Sequence, residues 1–514
     1  MLGFACAALL SPHGAARAQA ISYTMRFPAP ASHVAEVEAR IPAKGRESLD
    51  LMLPVWSPGY YVQQDYAGKV QTFAATSSRG GDLVVEKPKP NHWLVTTGGA
   101  DTVVIRYALS CKSRFITGCW VDSAFAVLNG PSIFVTINEP HASAKRPYDV
   151  RIALAPTWPR SVSSLETVGS DSNHYRAPDY DTFIDSPIIA GDISVHEFTV
   201  GETRHYLADF GNLGAWDGAR VAATLQRIVA EHRAFLGELP FRKYVFLNSF
   251  RGGQGGLEHL NSSLLSSPAR PAEPEPGLRW LKYVSHEYFH AVNVKRLRPI
   301  ELGPFDYERL PSTPSLWIAE GLTSYYGDLA VVRSGVGTVP DYLDGLSGYI
   351  RTVQTSPGRL VQTLEASSLT SGTTSSSGVG GNRDRTISYY DKGPIAGLVI
   401  DARIRRLTND RRSLDDVMRL AIARYSGARG YTPTEFVATA SEVAGTDLSP
   451  LFHTLLATTA EVDYTEALEW LGLRFAEPVS NDVARAWSLE IRPDATRSQR
   501  AHLTSLVTSR TAKH

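Results

Sequence analysis

The chain has 514 residues, 43% of them hydrophobic, more than one simple core accommodates, so several domains are expected. Lysine plus arginine and aspartate plus glutamate balance at 52 each, so no global field gathers phosphates or acidic lipids, and nucleic acid is not an expected partner. Beyond the N-terminus no apolar run reaches the roughly 18 residues of a transmembrane helix, which argues against stable membrane insertion.

The first twenty residues read as a signal peptide. Leu2 to Leu10 form a short apolar core, and Ala18-Gln19-Ala20 fits the small-x-small cleavage pattern, so the mature chain is expected to start near Ile21 in the periplasm or outside the cell. No Lys or Arg precedes the apolar core, as in a signal peptide cut short at its start. An Ala-rich disordered tail is the alternative. Of the three cysteines, Cys6 leaves with the signal, and Cys111 and Cys119 flank a KSRFITG segment. In an oxidising compartment they bridge; two buried free thiols fit the spacing equally.

From 21 to about 200 the pattern is short and alternating, as in HVAEVEARI, DLVVEK and DTVVIRYAL, between Gly, Pro and Asp turns. This predicts an all-β, sandwich-like domain. Within it, LPVWSPGYYVQQDY (53–66) reads as a packed loop, with substrate contact by Tyr60 or Tyr61 as the alternative. After 200 the period becomes helical, with helices expected at 218–239, 278–295, 315–333, 338–354, 393–407 and 413–425. This mainly helical domain extends over 201–465. SSLTSGTTSSSGVGGNRDR (367–385) reads as a mobile surface loop, and 466–514 as a C-terminal remnant.

The chemistry concentrates in VSHEYFHAVNVKRLRP (284–299). On a helix, His286 and His290 lie one turn apart on one face and can direct imidazole nitrogens at one ion, the spacing for zinc. Glu287, next along, can take a proton from water. A catalytic zinc needs a third protein ligand. Glu320, on an apolar-periodic helix in SLWIAEGLTSYYGDLAVV, is the best placed; Glu301, Asp306 and Glu308, in the intervening loop, are rivals. The basic run Lys295-Arg296-Leu297-Arg298 reads as a solvated helix end.

Upstream, GGQGGLEHLNSS (252–263) has glycines at Gly255 and Gly256 that admit another backbone, followed by extended LEHL. A sheet edge here can pair with a substrate peptide, and Glu258 can bind its free α-ammonium. An ordinary strand-end ion pair is the plain alternative for Glu258. Downstream, in ISYYDKGP (387–394), Tyr390 is the candidate donor to an oxyanion, with Tyr389 in reserve; a structural tyrosine bonded to backbone is the alternative.

Together HEYFHAVNVKRLRP, LWIAEGLTSYYGDL, GGLEH and SYYDKG resemble the glycyl aminopeptidase family, gluzincin metallopeptidases that usually carry a PDZ domain. The likeness extends from WSPGYY to about Phe475. It implies a multidomain α+β enzyme: an N-terminal β domain, a thermolysin-like catalytic domain, one Zn2+ per chain, and cleavage of N-terminal residues, often Gly or Ala, from peptides with a free N-terminus. By the resemblance, His286, His290 and Glu320 match the zinc ligands, Glu287 the general base, Glu258 the N-terminus anchor and Tyr390 the transition-state tyrosine. DYTEALEWLGLRF (463–475) resembles the lead into the PDZ domain, while RPDATRSQRAHLTSLV resembles the segment that follows it, so the PDZ module itself is expected to be absent. The rival readings are a zinc endopeptidase of the same fold, a scaffold with structural zinc, and a non-catalytic peptide-binding protein.

Overall fold

The structure is a computed structural model in which residues 19–139, 145–252, 255–372, 382–477 and 485–509 are described. Almost all of the expected signal segment and the middle of the Ser/Gly-rich stretch lie outside these residues.

Alternation becomes sheet in the N-terminal domain. Along Val34–Pro42, Ala35, Val37, Ala39 and Ile41 are buried while Glu36 and Arg40 face solvent. This strand belongs to a seven-stranded sheet in which Ile21–Arg26 pairs antiparallel with it and parallel with Tyr148–Ala153. Two four-stranded sheets complete the domain, one of them containing Phe125–Leu128 and Cys119–Val121. Cys111 and Cys119 are joined as a disulfide that closes the KSRFITG segment.

The catalytic domain is built on a five-stranded sheet, in spatial order Ile193–Val200, Thr203–Gly211, Lys243–Phe250, Ser262–Ser266 and Gly256–Glu258. Periodicity places the domain boundary near 200, inside the hairpin formed by the first two strands; the sheet itself begins at Ile193. Helix Gly218–Leu236 crosses between the parallel strands Thr203–Gly211 and Lys243–Phe250, and the Asp217 carboxylate caps it by accepting from Arg220 N at 3.1 Å. The sheet is buried on both faces. Tyr244, Phe246 and Leu207 pack with Val221, Leu225 and Tyr288 of the helices, while Val245, Leu247 and Leu257 pack with Phe125, Val127 and Ile189 of the β domain.

The remaining helices fall close to where their periodicity predicts: Leu278–Phe289, Thr323–Arg333, Val339–Gln354, Tyr389–Thr408 and Leu414–Tyr425. Two readings are corrected. The helix expected over 278–295 ends at Phe289, and Ser367 and Ser368 belong to the short helix Leu364–Leu369, where both are buried. Near the C-terminus, strands Leu473–Phe475 and Leu489–Ile491 pair antiparallel, and residues 476–488 between them are too few for a PDZ domain. Helix Arg497–Val507 docks back onto the catalytic domain, where the Leu506 carbonyl accepts from Arg333 Nε at 3.1 Å. No helix among the described residues is long and apolar enough to cross a membrane.

Candidate active site

Helix Leu278–Phe289 buries Leu281, Val284 and Tyr288 against the sheet, which turns His286 and Glu287 to the other side. His290, at its C-cap, continues the same face. The segment opposite, Trp317–Leu322, is π-helical, a wider turn found mostly at functional sites, and Glu320 sits within it, 2% exposed. Three atoms converge: His286 Nε2 and His290 Nε2 are 2.9 Å apart, and Glu320 Oε2 lies 3.5 and 3.1 Å from them. His290 Nδ1 faces the Asn293 carbonyl at 3.1 Å. A carbonyl only accepts, so Nδ1 carries a proton, and Nε2 is the nitrogen directed at His286 and Glu320. Asn293 in turn donates to the Ile318 carbonyl at 2.8 Å and to Thr323 Oγ1 at 2.9 Å, tying the end of the histidine helix to the turn that carries Glu320. The rival acids are engaged elsewhere: Glu308 with Lys89 and His92, and Glu301 with Thr313.

The strand Gly256–Glu258 is the sheet edge, antiparallel to Ser262–Ser266, with Glu258 opposite Ser263. Glu258, Glu287 and His290 bring ligand atoms within 4.8 Å of one another. Gly256 lies directly against Glu287, since a β-carbon there would be 2.3 Å from Oε1. Glu258 Oε1 and Glu287 Oε2 are buried and have no hydrogen-bond partner among the described residues.

Burial pushes both carboxyls up, against the pull of His290. Burial opposes ionisation of Glu320 too, but His290 and His286 outweigh it and hold that carboxyl down at about 2. His286 is pushed down to about 4 by burial and by His290, while His290, despite burial, is held up at about 10 by Glu320 and Glu258. The two Nε2 atoms and Oε2 converge on one point, and two His with one Glu is a donor set suited to catalytic zinc.

Tyr390 stands in the first turn of helix Tyr389–Thr408, with its ring centroid 6.1 Å from that of His286. The Tyr389 ring lies 4.8 Å from that of Tyr390, and its hydroxyl is 3.1 Å from Ser371 Oγ. The approach of this helix depends on a glycine pair. A β-carbon on Gly321 would be 2.6 Å from Gly393 Cα, so the turn bearing Glu320 and the helix bearing Tyr390 touch backbone to backbone.

The profile of the M61 N-terminal domain matches residues 22–192, and that of M61 glycyl aminopeptidase matches 279–396, the segment holding His286, Glu287, His290, Glu320 and Tyr390. The chain belongs to the M61 peptidase family. It is a metallopeptidase. An aminopeptidase N family protein from Idiomarina loihiensis has a similar structure, with TM-score 0.83 and 25% identity over 88% of this chain and 78% of that one. An M1 zinc metallopeptidase from Deinococcus radiodurans shares the fold at 10% identity, with TM-score 0.53 over 87% of this chain and 95% of that one. A variant of it bound to a Tyr-Ser-Ala substrate aligns at 12% identity with TM-score 0.52, covering the same shares. No curated sequence matches significantly.

Two features of this M61 peptidase's site go beyond the plain reading of a packed loop and a solvated helix end. The WSPGYY loop of the β domain reaches the site: Gly59, at φ 95°, abuts the Glu258 carboxylate, and Tyr61 is buried beside Glu320, Glu258 and Tyr389. The basic run is also not a solvated helix end. Lys295 Nζ, on a side chain 5% exposed, bonds Asp185 Oδ1 at 2.8 Å, and Asp185 also meets His259 Nδ1 at 3.0 Å, so a β-domain carboxylate braces the residue after Glu258. Arg296 donates to the Leu260 carbonyl at 2.8 Å and to Asn261 Oδ1 at 2.9 Å. The motif spelling points to none of these partners, which come from chain segments more than thirty residues away.

Proposed function

We propose that the protein is an exported zinc aminopeptidase that removes small N-terminal residues, Gly or Ala, from peptides. The observation that carries the exopeptidase reading is Glu258. Its carboxylate is buried at the sheet edge next to Glu287, leaves Oε1 without a hydrogen-bond partner among the described residues, and is closed off behind by Gly59. A free α-ammonium brings that carboxylate several donors and the opposite charge; an internal peptide N–H brings one donor and no charge.

His286, His290 and Glu320 would hold one zinc per chain. Bound there, zinc supplies Lewis-acid polarisation. The chain's own residues do the rest. The backbone of Gly255 and Gly256 offers the free edge to which an extended peptide adds as a strand, and Glu258 fixes its N-terminus. Glu287, against Gly256, takes a proton from the attacking water and delivers it to the leaving amine. The Tyr390 hydroxyl donates to the oxygen on which negative charge develops. The preference for Gly or Ala rests on the match to the M61 glycyl aminopeptidase profile. Export is supported by the signal-like start and by the Cys111–Cys119 disulfide.

The test is hydrolysis of glycyl, alanyl, leucyl and N-acetylated peptides, with and without a chelator. Chelator-sensitive cleavage of free glycyl and alanyl peptides, with the blocked ones spared, is expected. Internal cleavage of blocked peptides at equal rates makes the enzyme an endopeptidase, and no cleavage of any leaves a peptide-binding protein.

A further inference from the structure

Where the β domain meets the catalytic sheet lies a cavity of about 830 Å³, lined by Arg114, Trp120, Phe125, Gly211, Phe250 and Arg251 among others. Arg251 is 8% exposed, and none of its three guanidinium nitrogens has a hydrogen-bond partner among the described residues. A buried guanidinium is ordinarily paired, because the loss of its hydration otherwise goes uncompensated. Arg114, on the disulfide-closed segment, lies beside it: its guanidinium sits 4.8 Å from the Trp120 ring centre, and Nη1 donates to the Arg251 carbonyl at 3.4 Å. The nearby acid, Asp122, offsets part of the Arg251 charge but is not hydrogen-bonded to it. Its Oδ2 accepts from Trp120 Nε1 at 2.9 Å, and its Oδ1 from the amides of Ala124 and Phe125 at 2.8 and 3.0 Å. Asp192, also lining the cavity, is exposed. The site therefore holds a five-donor guanidinium whose hydrogen-bonding capacity no described residue takes up.

The position follows from strand register. Ser266 N donates to the Gly255 carbonyl at 3.2 Å, and Ser267 N to the Ser249 carbonyl at 2.8 Å. The start of the edge strand and the end of strand Lys243–Phe250, just before Arg251, thus lie on either side of the end of strand Ser262–Ser266, about two strand spacings or 10 Å apart. A peptide anchored at Glu258 and paired with the edge runs antiparallel to it, past Gly256 and Glu287 and then Gly255, advancing about 3.3 Å per residue toward this end of the sheet.

We propose that Arg251, assisted by Arg114, binds a carboxylate of the substrate on the leaving side of the scissile bond, so that short peptides are held at both ends. The inference rests on the aminopeptidase reading. The carboxylate has two possible sources, the peptide C-terminus and an acidic side chain. The experiment compares kcat/KM for Gly-Ala-Ala-Ala as free acid and as C-terminal amide, and for Gly-Ala-Asp-Ala and Gly-Ala-Asn-Ala, both as amides. The wild type is expected to favour the free acid over its amide about 10- to 100-fold, the span of a charge-assisted hydrogen bond. A preference confined to Asp over Asn assigns the site to a side chain instead. In Arg251→Gln the ratio falls to about one. In Arg114→Gln, a change on an exposed segment that spares the buried core, it falls part of the way. Equal wild-type rates on all four peptides overturn the carboxylate site while leaving the aminopeptidase intact, as does a ratio that survives in Arg251→Gln. Hydrolysis of none of them overturns both.

Discussion

Gly59 of the β domain and Glu258 of the catalytic sheet are in such close contact that a β-carbon on Gly59 would lie 2.5 Å from the Glu258 carboxylate oxygen. Gly59 also holds φ at 95°, where an L side chain is strained. Gly59→Ala is therefore expected to displace the anchor, lowering kcat/KM on glycyl peptides about 10- to 100-fold through KM while bound zinc is retained. Steady-state kinetics with metal analysis checks it. Unchanged kinetics would separate the β domain from substrate binding.

Glu258→Ala removes the carboxylate itself. Loss of one charged partner from a desolvated pair is worth about 2 to 4 kcal/mol, so kcat/KM on free glycyl or alanyl peptides should fall about 30- to 1000-fold. N-acetylated peptides, poor substrates throughout, should be nearly indifferent to the change. Equal losses on both kinds would assign Glu258 to scaffold rather than recognition.

Glu287→Gln is expected to keep zinc and lose turnover by several orders of magnitude, because an amide does not accept the proton of water. His286→Ala and Glu320→Ala should instead lose the metal, each removing one of three ligands. Metal content and turnover measured on the same preparations separate the two classes. Residual turnover above about a tenth in Glu287→Gln would dismiss it as the base.

Tyr390→Phe should lower kcat by roughly 10²- to 10³-fold with little change in KM, the mark of an interaction made in the transition state. Tyr389 bonds Ser371, and its ring lies beside that of Tyr390, so Tyr389→Phe should do much less. Reversed effects would make Tyr389 the donor.

His205 and His232 are buried and pushed down, by burial, to about 4 and about 3. Both stay neutral in the fold at pH values where an unfolded histidine, near 6.5, takes a proton. The unfolded chain then binds more protons, so the stability present above about pH 6.5 is lost as pH falls toward 4. Each histidine contributes a slope of about 1.4 kcal/mol per pH unit. His232→Gln, which can still reach Ser285, should flatten the fall of urea-unfolding stability between pH 6.5 and 5 by one such slope. Parallel curves for wild type and variant would show that His232 does not carry that dependence.

The sequence by itself determined what local geometry dictates. The i and i+4 spacing aligns His286 and His290 on one helix face, and helical periodicity marks the segment carrying Glu320, so the candidate ligand set is legible without a fold, and the fold brings Glu320 rather than its rivals to the two histidines. The glycines before Glu258 likewise mark a strand open to another backbone. The catalytic sheet was not legible, because strands such as Lys243–Phe250 are buried on both faces and lose the alternation that identifies a strand. Tertiary structure alone decided the contact of Gly59 with Glu258, the Asp185–Lys295 ion pair and the Arg251 guanidinium, which has no hydrogen-bond partner among the described residues. Each depends on how the β domain is seated on the sheet, and that is settled by the joint burial of apolar faces from segments far apart in the chain, which no local spacing records.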